Sequence, residues 1–477
     1  MNNPLLEEVS NWKLEAKLEN TDRYFYHTRA VDRLIQGQKS YVIGRKGSGK
    51  TAICEHLATT LSADYFAQKL TFKNFPFNRL YELSDKGFTA PNQYITLWKY
   101  LIYSTTCKLL SKDPTVDLES RQELAKLFDL DISAALPSAV EKWTDIKFEL
   151  KILGTGGGLH LAKRPEEKAP LELGDKVELL ERYIAGKLGS HTFVILFDEL
   201  DEDYKDITHK EKYQKFTELL TSLFKAVQDI RSRFRNSKLF PVVFLRDDIY
   251  DILQDPDKNK WSDYKIELSW DRDSIKNLLA FRISRAADPH AQPLPFAKAW
   301  ASIYAGGEVE YGHKQQRSMA AFDYITRSTQ VRPRDYIRYL QVCADKALEQ
   351  HKRSITPQIV NSEDKSFSNY LRSELEDEIH GIIPEIKKIL NIFSISRKQT
   401  LSVDDFSTVH SELVRTGEVP ERNTQFILEI LYHFSVIGNV PKQHNQSVFK
   451  YLNPESRLNM SEKICVHRGL FKSLQIL

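Results

Sequence analysis

The sequence predicts an α/β protein: a phosphate-loop core with a parallel sheet, then a helical lid and a C-terminal winged-helix domain. Three observations carry this. A short β-like run, Tyr41–Ile43, ends in a glycine loop and passes into the helix-forming stretch Thr51–Leu61. Two later runs, Phe193–Phe197 and Phe240–Leu245, are apolar on consecutive positions, as strands covered on both faces must be. Beyond about residue 270 the strand signals give way to helical ones, ending in a block of three helices and two strands.

Bulk composition bounds the rest. A chain of 477 residues exceeds what one core serves, so two or three domains are expected. Hydrophobic residues at 41% and charged residues at 28% exclude a wholly disordered, collagen-like or membrane-embedded chain. The net charge of +3 is too balanced to announce a nucleic-acid binder, though it leaves room for a local basic face. Cys54, Cys107, Cys343 and Cys465 lie far apart without CxxC pairing and read as reduced thiols. The first twenty residues are amphipathic and acidic, unlike a signal peptide, and the longest apolar runs are strand-sized. These features lead us to expect a cytoplasmic protein with no membrane partner.

Taken in order, Asp64–Phe72 reads as a second strand and Asn92–Leu110 as a helix with a buried face. Residues 111–190 are less regular and read as an insertion; their run Gly154, Gly156, Gly157 and Gly158 lacks a following GK[ST] and suits a hairpin turn. Lys210–Arg235 is a long amphipathic helix, and Lys265–Leu268 a short strand. Asp273–Ala287, Ala320–Thr326 and Pro333–Gln350 form the lid. Ile355–Asn369, with Pro357 and several polar residues, is the candidate boundary. The expected domains are therefore 1–272, 273–360 and 370–477.

The strongest local signal is Gly44-Arg45-Lys46-Gly47-Ser48-Gly49-Lys50-Thr51, a full GxxxxGK[ST] match. Glycines let backbone N–H groups curl round a phosphate, Lys50 suits the β- and γ-phosphates, the Thr51 hydroxyl suits Mg²⁺, and the following helix turns its positive end to the anion. Such a loop calls for an acidic site closing another buried strand. Val194–Phe197 followed by Asp198 and Glu199 supplies it, with Asp198 for the metal and Glu199 to polarise an attacking water. Asp201 is a helper candidate; Glu202 and Asp203 continue the acidic turn. Because a glutamate follows the aspartate, a hydrolase is expected.

Arg246 ends the strand Pro241–Leu245; it either faces the γ-phosphate or pairs with Asp247 or Asp248. Arg332 and Arg334, flanking Pro333 at a helix start, either reach phosphates from the lid or pair with Asp335. Arg231, Arg233 and Arg235 are candidate fingers toward a neighbouring subunit or a solvated basic face. Tyr24, Phe25 and Tyr26 either stack on a base or pack. No LSGGQ-like or NKxD-type motif is present.

Together, GRKGSGKT at Gly44–Thr51, VILFDE at Val194–Glu199, VVFLRDD around Arg246 and RPRD at Arg332–Asp335 resemble the branch of P-loop ATPases that includes STAND proteins and origin-recognition-type AAA+ ATPases. Within it, the chain is similar to bacterial ATPases found beside antiviral defence genes. The resemblance spans most of residues 20–350. It implies ATP and Mg²⁺ as cofactors, Arg246 as a sensor arginine, RPRD as a lid signature, and a ring or filament of like subunits. Unlike STAND proteins, the chain has no room for a long repeat sensor, which implies an outside partner.

From Gly381 onward, helix signals at Ile382–Ile395, Val403–Leu413 and Asn423–Ile437 precede strand-like pieces at Val448–Leu452 and Lys463–Val466. Twelve Lys and Arg face nine Asp and Glu there, a thin basic excess for a DNA reader. The third helix carries Glu429 and mostly apolar residues, poor tools for reading bases. His410, His433 and His467 stand singly. The expected function is an ATP-driven switch controlling an effector protein; the alternative is an ATPase of the loader or remodeller kind that grips duplex DNA.

Overall fold

A computed structural model describes residues 3–73, 77–82, 89, 92–128, 140, 172–201, 210–442 and 446–476. The glycine run at 154–158, and Glu202 and Asp203, lie outside the described residues. The chain divides into two units: one of residues 27–46 and 50–268, the other of residues 1–26, 47–49 and 269–477.

The first unit holds a five-stranded sheet of β1 (Tyr41–Ile43), β2 (Tyr65–Thr71), β3 (Thr192–Asp198), β4 (Leu239–Leu245) and β5 (Lys265–Glu267). Every pairing is parallel and the order is β2-β3-β4-β1-β5. Ile43 pairs with Leu245, and Thr71 with Asp198. The segments after β1, β3 and β4 therefore leave by one edge, the carboxyl edge at which open parallel sheets bind ligands. β3 and β4 are buried along almost their whole length, which explains their unbroken apolar runs.

Helices α1 (Lys50–Thr59), α2 (Ile95–Leu110), α3 (Leu173–Lys187) and α4 (Lys210–Arg233) accompany the sheet. Almost every residue of α2 is buried. Three of its polar side chains are satisfied by carbonyls: Thr105 and Thr106 donate to those of Leu101 and Ile102, and Trp98 Nε1 donates to that of Leu219 at 2.8 Å. The Trp98, Phe72 and Phe197 rings meet at 5.7–6.2 Å and lock α2 to β3. Helix α3, inside the stretch read as an irregular insertion, buries Val177, Leu180 and Ile184 at helical spacing.

The second unit is mainly helical. It contains α5 (Arg272–Ala287), opened by an Asp271–Ser274 capping box. The hairpin of β6 (Val309–Tyr311) and β7 (Arg317–Met319) follows, then α6 (Pro333–Glu349) and α7 (Pro357–His380). Across the expected boundary at Ile355–Asn369 the chain is helical: Pro357 takes the first turn of α7, where its missing N–H costs nothing, and the helix runs unbroken for 24 residues. The polar residues that suggested a linker lie between buried Ile359, Val360, Phe367, Leu371, Leu375 and Ile379.

The chain then runs through α8 (Ile386–Ser396), β8 (Thr400–Leu401), α9 (Val403–Arg415), α10 (Thr424–His433), β9 (Ile437–Val440) and β10 (Lys463–Val466). The strands form an antiparallel sheet in the order β8-β10-β9. Two sequence expectations are corrected. Ile437 belongs to a strand, because Ser435 takes φ 55° and breaks the helix before it. Val448–Leu452 is no strand; Val448 makes one isolated bridge to Asn439. This segment is fastened to the preceding helices by Gln330, which donates to the Phe434 carbonyl (3.0 Å), and by Arg468, which pairs with buried Asp364 (2.9 Å). The first residues of the chain pack into the same unit. Arg282 lies over the Trp12 and Tyr24 rings (4.7 and 4.6 Å) and pairs with Glu19 at 2.5 Å.

Candidate functional site

The loop between β1 and α1 is the one the sequence singled out. Gly47 and Gly49 take φ +80° and +102°, a region that L side chains rarely adopt. Lys50, the first residue of α1, donates from Nζ to the carbonyls of Gly44 (2.7 Å) and Arg45 (3.1 Å). Burial pushes its pKa down, against the charges of Asp201 and Asp247. Thr51 follows on the first turn of α1. The loop thus carries a partly buried ammonium bent back over its own carbonyls, with the start of a ten-residue helix beside it.

Two strands away, β3 closes on Asp198 and Glu199. Asp198 is 3% exposed, and burial raises its pKa against the opposing charge of Lys69. Lys69 Nζ lies 3.4 Å from Asp198 Oδ2 and 2.6 Å from Glu55 Oε1. The longer contact is an ion pair only, since among the described residues Oδ2 accepts no hydrogen bond. Glu199 stands at φ 59°, a strained setting for a non-glycine residue, and the Thr71 hydroxyl donates to its Oε2. Strand β2 therefore supplies a partner to each member of the acidic pair, two residues apart on one strand face. Sequence reasoning missed both Lys69 and Thr71. The alternation of β2 was the only available signal, and a lysine there reads as solvent-facing.

Arg246 makes the carboxylate pairing that was one of its two sequence readings. It grips Asp248 with Nε (3.0 Å) and Nη2 (2.7 Å), and Nη1 lies 3.5 Å from Asp201. This links the strand-terminal arginine to the acidic turn after β3. Arg231 is not displayed as a finger: it lies over the Tyr264 ring at 4.1 Å and donates to Ser40 Oγ at 2.8 Å. Arg233 pairs with Glu181 at 2.7 Å, and Arg235 is exposed.

In the second unit, Arg332 is buried and held by Asp335 (Nη2 at 3.0 Å) and Glu378 (Nη1 at 3.1 Å). Val331 before it takes φ 54°, an outlier for a β-branched residue. Arg334 pairs with Glu374 at 3.2 Å, and a Cβ on Gly47, grouped with this unit, would lie 3.2 Å from the Arg334 Cβ. Tyr24 packs, with its hydroxyl donating to Glu8 at 2.6 Å, and Tyr26 meets Phe281 at 5.6 Å. His410 accepts burial beside Thr424. All four cysteines are buried and free. Among the described residues no His, Cys, Asp and Glu cluster forms a ready metal cage, and no helix is long and apolar enough to cross a membrane.

Residues 273–376 match the model of a family described as the FunZ-associated C-terminal helical domain, a range running from α5 through most of α7. No protein of curated function matches the chain. Similar solved structures include the Orc1 protein of Aeropyrum pernix in complex with DNA, at 12% identity over 97% of this chain and 96% of that one, with a TM-score of 0.41. The Aeropyrum pernix ORC2 protein in its ADPNP and ADP complexes gives 12% identity, 94% and 89% coverage, and a TM-score of 0.41. The RuvB Holliday junction branch migration motor of Thermotoga maritima gives 12% identity, 90% and 94% coverage, and a TM-score of 0.32.

Proposed function

We propose that the chain binds and hydrolyses ATP and uses the cycle as a switch that controls a partner effector protein. The observation supporting this reading is the meeting, at one edge of a parallel sheet, of a partly buried lysine in a glycine loop with an Asp–Glu pair two strands away.

In this reading the loop N–H groups and Lys50 bind the β- and γ-phosphates, helped by the positive end of α1. Lys50 exchanges the Gly44 and Arg45 carbonyls for phosphate oxygens, so its charge is already delivered and desolvated. Thr51 and Asp198 would hold Mg²⁺. Asp198 fits that task, because its Oδ2 is buried, accepts no hydrogen bond from the described residues and is a hard oxygen donor. The ion, when bound, neutralises charge on the transferring phosphoryl group. Glu199 orients and deprotonates the attacking water, restrained until then by the Thr71 hydroxyl. Arg246 senses the γ-phosphate and is held back by Asp248. Arg332, enclosed by two carboxylates, receives no phosphate role here.

The C-terminal segment acts on the partner in this reading. Its helix–strand–helix–helix–strand–strand succession is the order of a winged helix, and α10 carries exposed Phe426 together with Gln425, which is bonded to Glu429. That face suits protein contact better than base reading. The resemblance noted above makes bacterial antiviral defence the setting, and assembly with further copies of the chain fits the same reading.

Steady-state ATP turnover of the wild type and of Glu199→Gln, each with and without duplex DNA, tests the proposal. We expect turnover that disappears in the variant and ignores DNA. Turnover that survives Glu199→Gln would refute the assignment of the base, and strong stimulation by DNA would replace the effector reading with a DNA-associated ATPase.

A further inference from the structure

Lys69 stands apart from the roles assigned so far. It belongs to β2, at the edge of the sheet, and its side chain is 14% exposed. Its ammonium is shared unequally: hydrogen-bonded to Glu55 Oε1 on α1 at 2.6 Å, and at ion-pair distance, 3.4 Å, from Asp198 Oδ2. The Glu55 side chain is 19% exposed and the Asp198 side chain 4%, so neither contact is a solvated surface pair. The oxygen that Lys69 approaches accepts no hydrogen bond among the described residues.

We infer that Lys69 is a resident cation that competes with the divalent ion for Asp198 Oδ2, and that Glu55 is its alternative seat, so the pair sets how tightly the nucleotide site takes up its metal. The inference rests on the ATP-site reading above and adds a positioning residue to it. Its physical basis is simple: two cations cannot both occupy one side of a buried carboxylate without repulsion, and repulsion is weakly screened where water is excluded. Glu55 draws Lys69 away from Asp198 along α1, the helix that begins at the phosphate loop.

The two members of the Lys69–Glu55 pair give opposite expectations. Lys69→Met removes the competitor and should lower the half-saturating Mg²⁺ concentration by about tenfold. Glu55→Gln removes the alternative seat, leaves Lys69 to Asp198 alone, and should raise that concentration several-fold. Lys69→Arg keeps the charge and should stay near the wild type. A residue that merely supports the fold would change the melting temperature in all cases and would not move metal affinity in opposite directions.

The measurement is equilibrium binding of a fluorescent ATP analogue to the full chain, titrated with Mg²⁺, with no turnover involved. Opposite shifts for Lys69→Met and Glu55→Gln support the inference. Shifts in one direction, or both variants within twofold of the wild type, overturn it. Should Lys69→Met fail to fold, Glu55→Gln and Lys69→Arg still decide: no weakening in the first, or a shift in the second as large as the one expected for Lys69→Met, overturns the inference. A wild-type chain that fails to bind the analogue, or binds it with no dependence on Mg²⁺, would instead overturn the ATP-site reading.

Discussion

Replacing Arg332 with methionine separates two uses of one guanidinium. Its Nε lies 3.2 Å from both oxygens of Asp335, Nη2 is 3.0 Å from Oδ1, and Nη1 is 3.1 Å from Glu378. All three residues are buried. Methionine fills much of the same volume, so the dominant loss is electrostatic: two carboxylates lose their only described shared cation in a dry site. Breaking a buried ion pair by removing one partner costs about 3–5 kcal/mol. Glu378→Gln leaves Arg332 bonded to Asp335 and should cost less, about 1–2 kcal/mol. For a unit of this size the first loss lowers the melting temperature by about 10 °C. Thermal and urea unfolding of the full chain would measure it, beside ATP affinity at a temperature where both proteins are folded. We expect a large loss of stability with affinity kept within a few-fold. A stable variant that no longer binds nucleotide would refute this reasoning and return Arg332 to the phosphates.

Two further expectations need only stability measurements. A Cβ at Gly469 would meet the Ser328 carbonyl oxygen at 2.1 Å and Leu371 Cδ2 at 2.5 Å, so Gly469→Ala should destabilise by about 2–3 kcal/mol. Gly186, near the end of α3, has nothing within 4 Å of such a Cβ, so Gly186→Ala should be neutral or stabilise by up to about 1 kcal/mol; unfolding curves that reversed this ranking would contradict both packing descriptions. Burial pushes the His410 pKa down, so the folded state disfavours its charged form. The stability this contributes is present above the unfolded histidine value of about 6.5 and is lost as pH falls through the folded value. His410→Gln should flatten that acid limb, and an unchanged profile would show that other groups govern it.

How much of this was legible in the sequence depended on whether the signal was local. The loop Gly44–Thr51, β3 and β4 were readable because a glycine pattern and continuous burial leave their marks on consecutive residues. Helix α7 was hidden by Pro357, which reads as a break until its place in the first turn is known. Strand β9 was hidden because Val436 and Ile437 continue an apolar helix pattern, and only the left-handed Ser435 ends it. The three-residue strands β6 and β7 are too short to show a period. Within the candidate site, Asp198 and Glu199 announced themselves, whereas Lys69, Thr71 and Glu55 act through pairings across 128 or 14 residues that no spacing rule encodes. Arg246 and Arg332 were visible as candidates together with their local partners Asp248 and Asp335, whereas Asp201 and Glu378 join them across 45 and 46 residues, through tertiary packing alone.

The most direct test is equilibrium binding of ATP with Mg²⁺ to the full chain and to Lys50→Ala. The wild type should bind saturably, and the variant should lose about a hundredfold in affinity, as expected for the loss of two charge-assisted hydrogen bonds, with its unfolding curve preserved. Equal affinity in a folded Lys50→Ala protein would contradict the assignment of the loop as the nucleotide site, and with it the switch.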